Sequence, residues 1–259
     1  MPDYKHLSTR IIDNAIAIAA FNRPDAANAL NAQMALEIND LFASLSTGIR
    51  AVILTGEGRH FCAGADLKER KGMDEAQWHR QHHAFEEALK AIMACEIPVI
   101  AAVNGAAMGG GLELALTCDF IYAAENARFA LTETTLGIIP GMGGTQRLPR
   151  AVGMARAKEL IFSGKSFTAA EALEWGMVNR ICPPESLMGK ALACAATIAA
   201  NAPLAVKSAK KSINEGINLT IPQALQCELA HYAPLLPTAD RREGIDAFNE
   251  KRKPRFTGN

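Results

Sequence analysis

Three consecutive segments in the middle of the chain read IPVIAAV (Ile97–Val103), NGAAMGGGLELAL (Asn104–Leu116) and DFIYA (Asp119–Ala123). The first and the last are short apolar runs, which are typical of buried strands. The middle segment begins with small residues and glycine and then shows helical periodicity. A strand, a helix and a further strand in this order predict a crossover unit of a largely parallel, buried sheet.

The same alternation continues on both sides of this unit. Helical patterns run from Asn28 to Leu45 and from about Asp74 to Ala94. Further strands are predicted at Asn14–Phe21 (NAIAIAAF), Ala51–Thr55 (AVILT), Phe129–Leu131 and Met177–Ile181. The fold class predicted from these patterns is therefore α/β.

The character of the chain changes after Gly153, where the pattern becomes mostly helical and is interrupted by prolines. We place a boundary between Ala200 and Pro203, which gives a core of residues 1–200 and a helical region of residues 201–259. The helix that starts near Pro203 carries apolar residues on more than one face. This indicates that the helical region forms contacts between subunits.

The composition excludes several classes of protein. The 259 residues include 27 basic and 27 acidic side chains, so the chain lacks the positive charge of a dedicated nucleic-acid binder. No run approaches the roughly 20 apolar residues of a membrane span, and the N-terminus has no apolar leader. The six cysteines form no C-x-x-C pair, so we expect reduced thiols, no metal site and a cytoplasmic location.

Three turns concentrate glycine and acidic residues where predicted strands end: Phe61–Lys68, Asn104–Glu113 and Thr132–Thr145. Ligand sites of open α/β folds gather at the carboxyl ends of strands. Glycines Gly109–Gly111 at the start of a helix would expose backbone N–H groups, which attract a phosphate or a developing oxyanion. Alternatively, these glycines only allow a helix to pack closely against the sheet.

Glu113 and Glu133 lie in the second and third of these turns. A pair of carboxylates in an apolar pocket can divide the roles of general acid and general base. Taken singly, Glu113 could be a capping acid of the helix and Glu133 a surface acid beside a turn. A phosphate-binding loop of the Walker type is not supported, since the motif that includes Lys165 would need glycine in place of Glu159. A serine nucleophile is not supported either, since no G-x-S-x-G motif appears. The histidines His60, His82 and His83 are weaker candidates for catalysis.

The three turns, in this order, resemble the crotonase superfamily and specifically its enoyl-CoA hydratase branch. The matching segments are FCAGADLKE (61–69), NGAAMGGGLELALTCDFIYA (104–123), IIPGMGGTQRLPR (138–150) and, near the end of the chain, Asp240–Gly244 with Phe248–Arg252. The resemblance covers essentially the whole chain. It implies a spiral of β-β-α repeats followed by a C-terminal helical trimerisation region.

The resemblance also implies roles for individual residues. The backbone N–H groups of Ala65 and Gly110 would form the oxyanion hole for a thioester enolate, and Glu113 and Glu133 would be the catalytic acids. The stretch Ala65, Asp66, Leu67 and Lys68 would line the CoA groove together with Gly110. Tyr232 and Lys251 match positions from which one subunit covers the CoA of its neighbour, although interface packing and a solvated charge are equally open readings of these two residues.

The implied reaction adds water to a trans-2-enoyl-CoA and gives the 3-hydroxyacyl-CoA, as in β-oxidation of fatty acids. The implied partners are an acyl-CoA thioester and further copies of the chain, as a trimer or a dimer of trimers, and no metal or redox cofactor is needed. Within the same fold, GADLKER, LELAL and PRAVGMARAKELIF look most like methylglutaconyl-CoA hydratases of leucine breakdown. An enoyl-CoA isomerase with a single acid is a further alternative, as is RNA binding, although a continuous basic stripe is missing.

The sequence departs from the family pattern in two places. Thr132 stands where many hydratases of the family have proline before the second glutamate. The loop Glu69–Gln81 is a segment that differs among family members, so the resemblance does not fix the acyl specificity.

Overall fold

Nine strands form two sheets in the computed structural model, which describes residues 2–259. The larger sheet has the order β1-β2-β3-β4-β6-β9 and the smaller one the order β5-β7-β8. The strands are β1 (Leu7–Ile12), β2 (Ile16–Phe21), β3 (Ala51–Gly56), β4 (Val99–Val103), β5 (Ala106–Met108), β6 (Phe120–Ala124), β7 (Arg128–Ala130), β8 (Phe167–Thr168) and β9 (Arg180–Cys182).

From β2 to β9 the larger sheet is parallel, as the sequence predicted. Its central register aligns Ile18 with Ile53 and Ile53 with Ile100, and β2 and β4 are buried along their whole length. Burial on both faces explains why these strands read as continuous apolar runs. The α/β fold class is therefore confirmed.

The edge strand β1 was not predicted from the sequence. It pairs antiparallel with β2, and five of its six residues are exposed or half-exposed, with no clean alternation of buried and exposed positions. The chain reverses at Asp13 and Asn14, whose φ values of 49° and 54° lie in the left-handed region that these two residue types tolerate. An edge strand that faces water needs no apolar run, so its signal in the sequence is weak.

The main helices of residues 2–259 begin largely where capping residues stand. Asp74 caps α3 in a capping box with Gln77, so this helix starts where the sequence predicted. The helices are α1 (Ala32–Ala43), α2 (Leu67–Arg70), α3 (Glu75–Ala94), α4 (Gly110–Thr117), α5 (Gly144–Val152), α6 (Met154–Ser163), α7 (Ala169–Glu174), α8 (Leu187–Ala199), α9 (Pro203–Gly216), α10 (Ile221–Tyr232) and α11 (Ala239–Asn249). Short 3₁₀ turns occupy Pro24–Ala26, Glu133–Leu136, Pro184–Ser186 and Ala233–Leu235.

Two predicted boundaries were wrong for identifiable reasons. The first helix starts at Ala32, not Asn28, because the buried Asn28 amide binds the carbonyls of Glu57 and His60 across the chain. The last strand starts at Arg180, not Met177, because the Met177 N–H donates back to the Ala172 carbonyl and closes the end of α7.

The apolar core lies on both faces of the larger sheet. One face packs against α1, α3 and α4 around Phe21, Met34 and Phe85, and the other face is covered by α8. No single helix in residues 2–259 has the length and apolar composition needed to cross a membrane. The consecutive segments Pro184–Ala199 and Pro203–Gly216 pass that test only as a pair, and they are bent by 105° at the break between them.

The C-terminal helices have a different surface from the rest. Helices α9 and α10 contain no buried residue, and large apolar side chains such as Ile217, Ile221 and Phe248 are 72–84% exposed. The break between α8 and α9 falls at residues 200–202, inside the predicted boundary. Arg50 ties the two parts together through the carbonyls of Ala199 and Phe256, and the division into a core and an assembly region stays a prediction.

Candidate active site

The smaller sheet brings the three glycine-rich turns together. Strands β5 and β7 are parallel neighbours with Met108 opposite Ala130, so the turns that follow them leave from the same edge. The Gly109 N–H donates to the Ala130 carbonyl at 2.8 Å, and the first turn joins through a bridge between Cys62 and Ala107. The turns line a pocket of about 430 Å³.

Two backbone N–H groups lie side by side at one end of this pocket. Gly64 has a φ of +95°, and a Cβ there would lie 2.8 Å from the Met108 carbonyl oxygen, so only glycine lets the two turns approach. A methyl group on Gly110 would lie 3.8 Å from the Ala65 nitrogen. Within residues 2–259 neither the Ala65 nor the Gly110 N–H donates to a protein oxygen.

The Gly110 N–H has no partner because Gly110 is the first residue of α4. The partial positive charge of a helix N-terminus adds to the attraction of this group for an anion. The Ala65 N–H is free because Leu30 bonds the residues on either side of it, donating to the Gly64 carbonyl and accepting from the Asp66 N–H. The pair can therefore receive an oxyanion without any loss of structure.

Glu113 lies in the first turn of α4 and is 1% exposed. Its Oε1 accepts hydrogen bonds from the N–H groups of Met142 and Gly144 at 2.8 and 2.7 Å. Burial raises the pKa of Glu113 to about 7, because desolvation outweighs the two hydrogen bonds and the charge of Glu133 adds to the shift. A carboxyl group with this pKa can exchange a proton near neutral pH.

Glu133 follows β7 as the first residue of the turn Glu133–Leu136. The Thr134 hydroxyl anchors this turn by donating to the Ile161 carbonyl at 2.7 Å. The Oε2 atom of Glu133 is buried and has no hydrogen-bond partner in residues 2–259. Burial raises the pKa of Glu133, while the positive charge of Arg70 lowers it.

The pocket is also lined by Arg70 and Trp78, to which the sequence analysis gave no role, and by His82, which it named as a weaker candidate. The Trp78 and His82 rings are stacked at 4.7 Å. The Arg70 Nε donates to Gln81 Oε1 at 2.8 Å, and its guanidinium lies 6.0 Å from the Trp78 ring centre and 5.6 Å from that of Phe85. The signal for these side chains was their position in or next to Glu69–Gln81, the segment that differs among family members.

The structure brings Ala65, Leu67, Gly110, Glu113 and Glu133 to this one pocket. Of the three histidines considered, His82 reaches it and the other two do not line it.

The remaining predicted site residues lie elsewhere. The Asp66 carboxylate makes structural contacts. It caps α2 by accepting from the N–H groups of Lys68 and Glu69, and it forms an ion pair with Arg23 at 2.8 Å. This side chain therefore serves the fold, and a role of Asp66 toward CoA stays a prediction. Lys68 does not line the pocket, and Tyr232 lines a separate cavity in the C-terminal region. The roles of Lys68, Tyr232 and Lys251 toward CoA stay predictions.

The whole chain is similar to known proteins. The family model for enoyl-CoA hydratase/isomerase matches residues 11–259. The chain is 42% identical to the short-chain-enoyl-CoA hydratase of Clostridium acetobutylicum over 93% of this chain and 94% of the relative. It is 40% identical to the crotonyl-CoA hydratase of Syntrophomonas wolfei over 94% of this chain and 95% of the relative.

A solved structure agrees with the fold in detail. The crystal structure of an enoyl-CoA hydratase from Bacillus anthracis superposes with a TM-score of 0.96 at 44% identity, covering 98% of this chain and 100% of the other. The family match, the sequence identity and the shared fold confirm the resemblance to the crotonase superfamily. The chain belongs to the enoyl-CoA hydratase/isomerase family.

Proposed function

We propose that this protein is an enoyl-CoA hydratase that adds water across the 2,3 double bond of a trans-2-enoyl-CoA thioester. The observation that carries the proposal is a single pocket holding two carboxyl groups with raised pKa beside two unpaired backbone N–H groups. The names of the relatives, a short-chain-enoyl-CoA hydratase and a crotonyl-CoA hydratase, support the same reaction class.

The first part of the mechanism concerns the thioester. Its carbonyl oxygen accepts hydrogen bonds from the N–H groups of Ala65 and Gly110, and these strengthen as attack at C3 moves negative charge onto the oxygen. Donors already in place for the developing charge require no rearrangement in the transition state. Each such donor contributes roughly 10²–10³ to the rate.

The second part concerns the water. Glu113 activates and orients it, with one carboxylate oxygen held by Met142 and Gly144. The hydroxyl group forms a bond to C3 while the electron pair of the double bond moves into the enolate. Glu113 takes one proton from this water. Glu133, whose Oε2 has no hydrogen-bond partner in residues 2–259, starts protonated, holds the water and delivers its own proton to C2. The proton on Glu113 then returns to Glu133 through solvent, so that each turnover adds one water and leaves both acids as they began. Positioned proton transfer contributes about 10²–10⁴.

The substrate itself supplies the coenzyme A group in this mechanism. Leu67 lies on the pocket wall beside the two N–H groups, where the thioester end of the substrate would enter. A trimer or a dimer of trimers is part of the proposal, with Tyr232 and Lys251 of one subunit covering the CoA of the next. The exposed apolar side chains of the C-terminal helices support such an assembly.

The experiment that tests the proposal is a product assay with purified protein. Crotonyl-CoA, octenoyl-CoA and methylglutaconyl-CoA are supplied separately, and products are identified by mass spectrometry. We expect the substrate to gain the mass of one water in at least one case. A shifted double bond with no change in mass would identify the enzyme as an isomerase and overturn the proposal.

A second candidate, a methylglutaconyl-CoA hydratase, is favoured by one specific observation. Arg70 and His82 line the pocket, and no hydrogen bond in residues 2–259 engages the two terminal guanidinium nitrogens of Arg70. An arginine fork is suited to a carboxylate, and an acyl group such as methylglutaconyl carries one at its far end.

The ratio of two activities separates the candidates. In the Arg70→Met variant, a hydratase for carboxylated acyl groups would lose about 10-fold or more of its kcat/KM for methylglutaconyl-CoA relative to that for crotonyl-CoA. An unchanged ratio would exclude Arg70 as the partner of a substrate carboxylate. Because Arg70 also lowers the pKa of both glutamates, only this ratio and not either activity alone is informative.

A further inference from the structure

A second group of chemically capable side chains lies outside the pocket, on the hairpin formed by α9 and α10. Glu215 stands near the end of α9, and Cys227 and His231 stand on α10. Residues four apart on a helix lie on the same face, so the thiol and the imidazole point the same way. The proposed reaction does not use these three groups.

All three side chains converge on one point. Glu215 Oε2 lies 3.6 Å from Cys227 Sγ and 2.8 Å from His231 Nε2, so both groups approach the same carboxylate oxygen. The three donor atoms lie within 4.8 Å of one another, and theirs is the one such triple found in residues 2–259. A tetrahedral zinc ion with its usual bond lengths needs ligand atoms about 3.3–3.6 Å apart. Movements of about 1 Å or less at the side-chain ends would meet that requirement.

We propose that Glu215, Cys227 and His231 form a binding site for Zn²⁺, with water as the fourth ligand. A thiolate and an imidazole select zinc over Mg²⁺ and Ca²⁺, which prefer oxygen ligands. On binding, the Cys227 thiol loses its proton to solvent, and the sulfur pair forms the bond to zinc. The thiolate and the carboxylate then balance the two positive charges of the ion.

The position of the site gives it a structural consequence. A bound ion joins α9 to α10, two helices that bury none of their residues within the chain. The His231 side chain is 23% exposed and that of Glu215 is 58% exposed, so the ion can enter from solvent. Zinc would therefore fix the hairpin that presents Ile213, Ile217 and Leu229, whose side chains are exposed.

The experiment uses the full chain without a histidine tag, stripped with EDTA and then mixed with ZnCl₂. Zinc per chain is measured by elemental analysis after gel filtration, and Co²⁺ is used as a spectroscopic probe of thiolate ligation. We expect one zinc per chain in the wild type and a loss of affinity of about tenfold or more in Cys227→Ser and His231→Ala. Zinc should raise the unfolding temperature of the wild type and not that of either variant.

Two control variants each remove a side chain of the same type as a proposed ligand, at a position outside the proposed zinc site. Cys194→Ser removes a half-buried thiol on α8, and His83→Ala removes an exposed imidazole on α3, so both should bind zinc as the wild type does. Circular dichroism verifies that each variant is folded. The proposal is overturned if the wild type binds no zinc, if Cys227→Ser and Cys194→Ser bind it equally, or if the Co²⁺ protein lacks a thiolate charge-transfer band.

Discussion

The pocket and the C-terminal helices each leave groups without partners, but groups of opposite character. Within residues 2–259, those of the pocket are polar and include the N–H groups of Ala65 and Gly110 and the Oε2 of Glu133. On the C-terminal helices they are apolar, as in Ile217 and Phe248, which are 72% and 84% exposed. Within residues 2–259, the pocket therefore contains polar groups without hydrogen-bond partners, and the C-terminal helices carry apolar side chains that no other part of the chain covers.

This difference indicates what each region binds. An unpaired buried polar group costs about 1–3 kcal/mol, which a small polar ligand of the right geometry can recover. Exposed apolar area costs about 25 cal/mol per Å² and is recovered only by another apolar surface. The pocket is therefore suited to a thioester and a water molecule, and the helices to a second protein surface.

The largest expected effect comes from removing the acids of the pocket. Glutamine keeps the size of glutamate but cannot exchange a proton at neutral pH. Glu113→Gln and Glu133→Gln should each lower hydration of crotonyl-CoA by about 10²-fold or more. The double variant should lose less than the product of the two, because both groups act on one water. Turnover is measured by loss of the double bond.

Binding of a non-reactive acyl-CoA analogue serves as the control for these variants and should change little, since the CoA group is held elsewhere. Near-full hydration by Glu113→Gln together with an inactive Glu133→Gln would contradict a two-acid mechanism. A one-acid, isomerase-like mechanism would then replace it.

The next effect concerns the backbone of Ala65. Proline at this position removes the N–H group and should lower turnover by about 10²-fold, the effect of losing one oxyanion donor. Ala65→Ser keeps the N–H and should be mild. The Ala65 N–H donates to no protein oxygen in residues 2–259, so the fold loses no hydrogen bond. Unchanged turnover in a folded Ala65→Pro protein would exclude the oxyanion role.

The raised pKa of Glu113 predicts how stability depends on pH. Its folded pKa of about 7 lies above the ordinary 4.5, so the folded state binds the proton more tightly than the unfolded state. Stability from this group is fully present below pH 4.5 and is lost as pH rises toward and through 7. The full difference between the two pKa values corresponds to about 3 kcal/mol.

Comparison with Glu113→Gln isolates this contribution. Between pH 5 and 8 the free energy of unfolding of the wild type should fall relative to that of the variant, which chemical denaturation at each pH measures. Parallel curves for the two proteins would mean that the pKa of Glu113 is not raised by the pocket. Glu113, the proposed base, should lose its proton over the same pH range, so the rate of hydration should increase from pH 6 to 8.

A substitution of an exposed side chain on the C-terminal helices should have the smallest effect on the isolated chain. Phe248→Ser changes an exposed side chain and should alter the stability of the isolated chain by no more than about 0.5 kcal/mol. If the helices meet a second copy, the same change should dissociate the oligomer, as measured by analytical ultracentrifugation. Phe162→Ser, at a 73% exposed phenylalanine on α6, is the matched control. If Phe248→Ser and Phe162→Ser dissociate the oligomer equally, the C-terminal helices are no more an assembly surface than α6 is.

Deletion of the chain after about Pro203 is the stronger form of this test. Without α9–α11, the remaining chain should aggregate or dissociate, because the face that the helices contact becomes exposed. A truncated protein that stays a soluble, fully active oligomer would show that the C-terminal helices do not serve assembly.

Much of the fold could be predicted from local sequence, because its signals are local. The runs IAIAAF, AVILTG and VIAAV are buried strands, and Asp74 caps α3 through its own side chain and that of Gln77. Strand β1, the three-residue strand β5 and the two-residue strand β8 were missed. All three are short or lie at an edge, and their pairing depends on neighbours and not on their own composition.

The candidate site divides in the same way. Glycines Gly109–Gly111 beside a predicted helix start indicated an anion site, and Glu113 and Glu133 stood out as a pair in neighbouring turns, whereas the role of Gly110 came from the family resemblance. Arg70 and Trp78 were not selected and His82 was only a weaker candidate, because a charged or aromatic residue in a helical pattern does not indicate which side it faces. The capping of α2 by Asp66 is local, but its pairing with Arg23 spans 43 residues and was not predicted.

The sequence by itself determined the order of the main buried strands and of the long helices, the parallel sheet and the family, because apolar periodicity, capping and motif spacing depend on residues close together in the chain. Only the tertiary structure decided what the site can do. The pKa of Glu113 reaches about 7 because burial outweighs bonds from Met142 and Gly144, which lie 29 and 31 residues away. The two free N–H groups adjoin because turns 45 residues apart meet at the smaller sheet, and electrostatics and hydrogen bonding act through space.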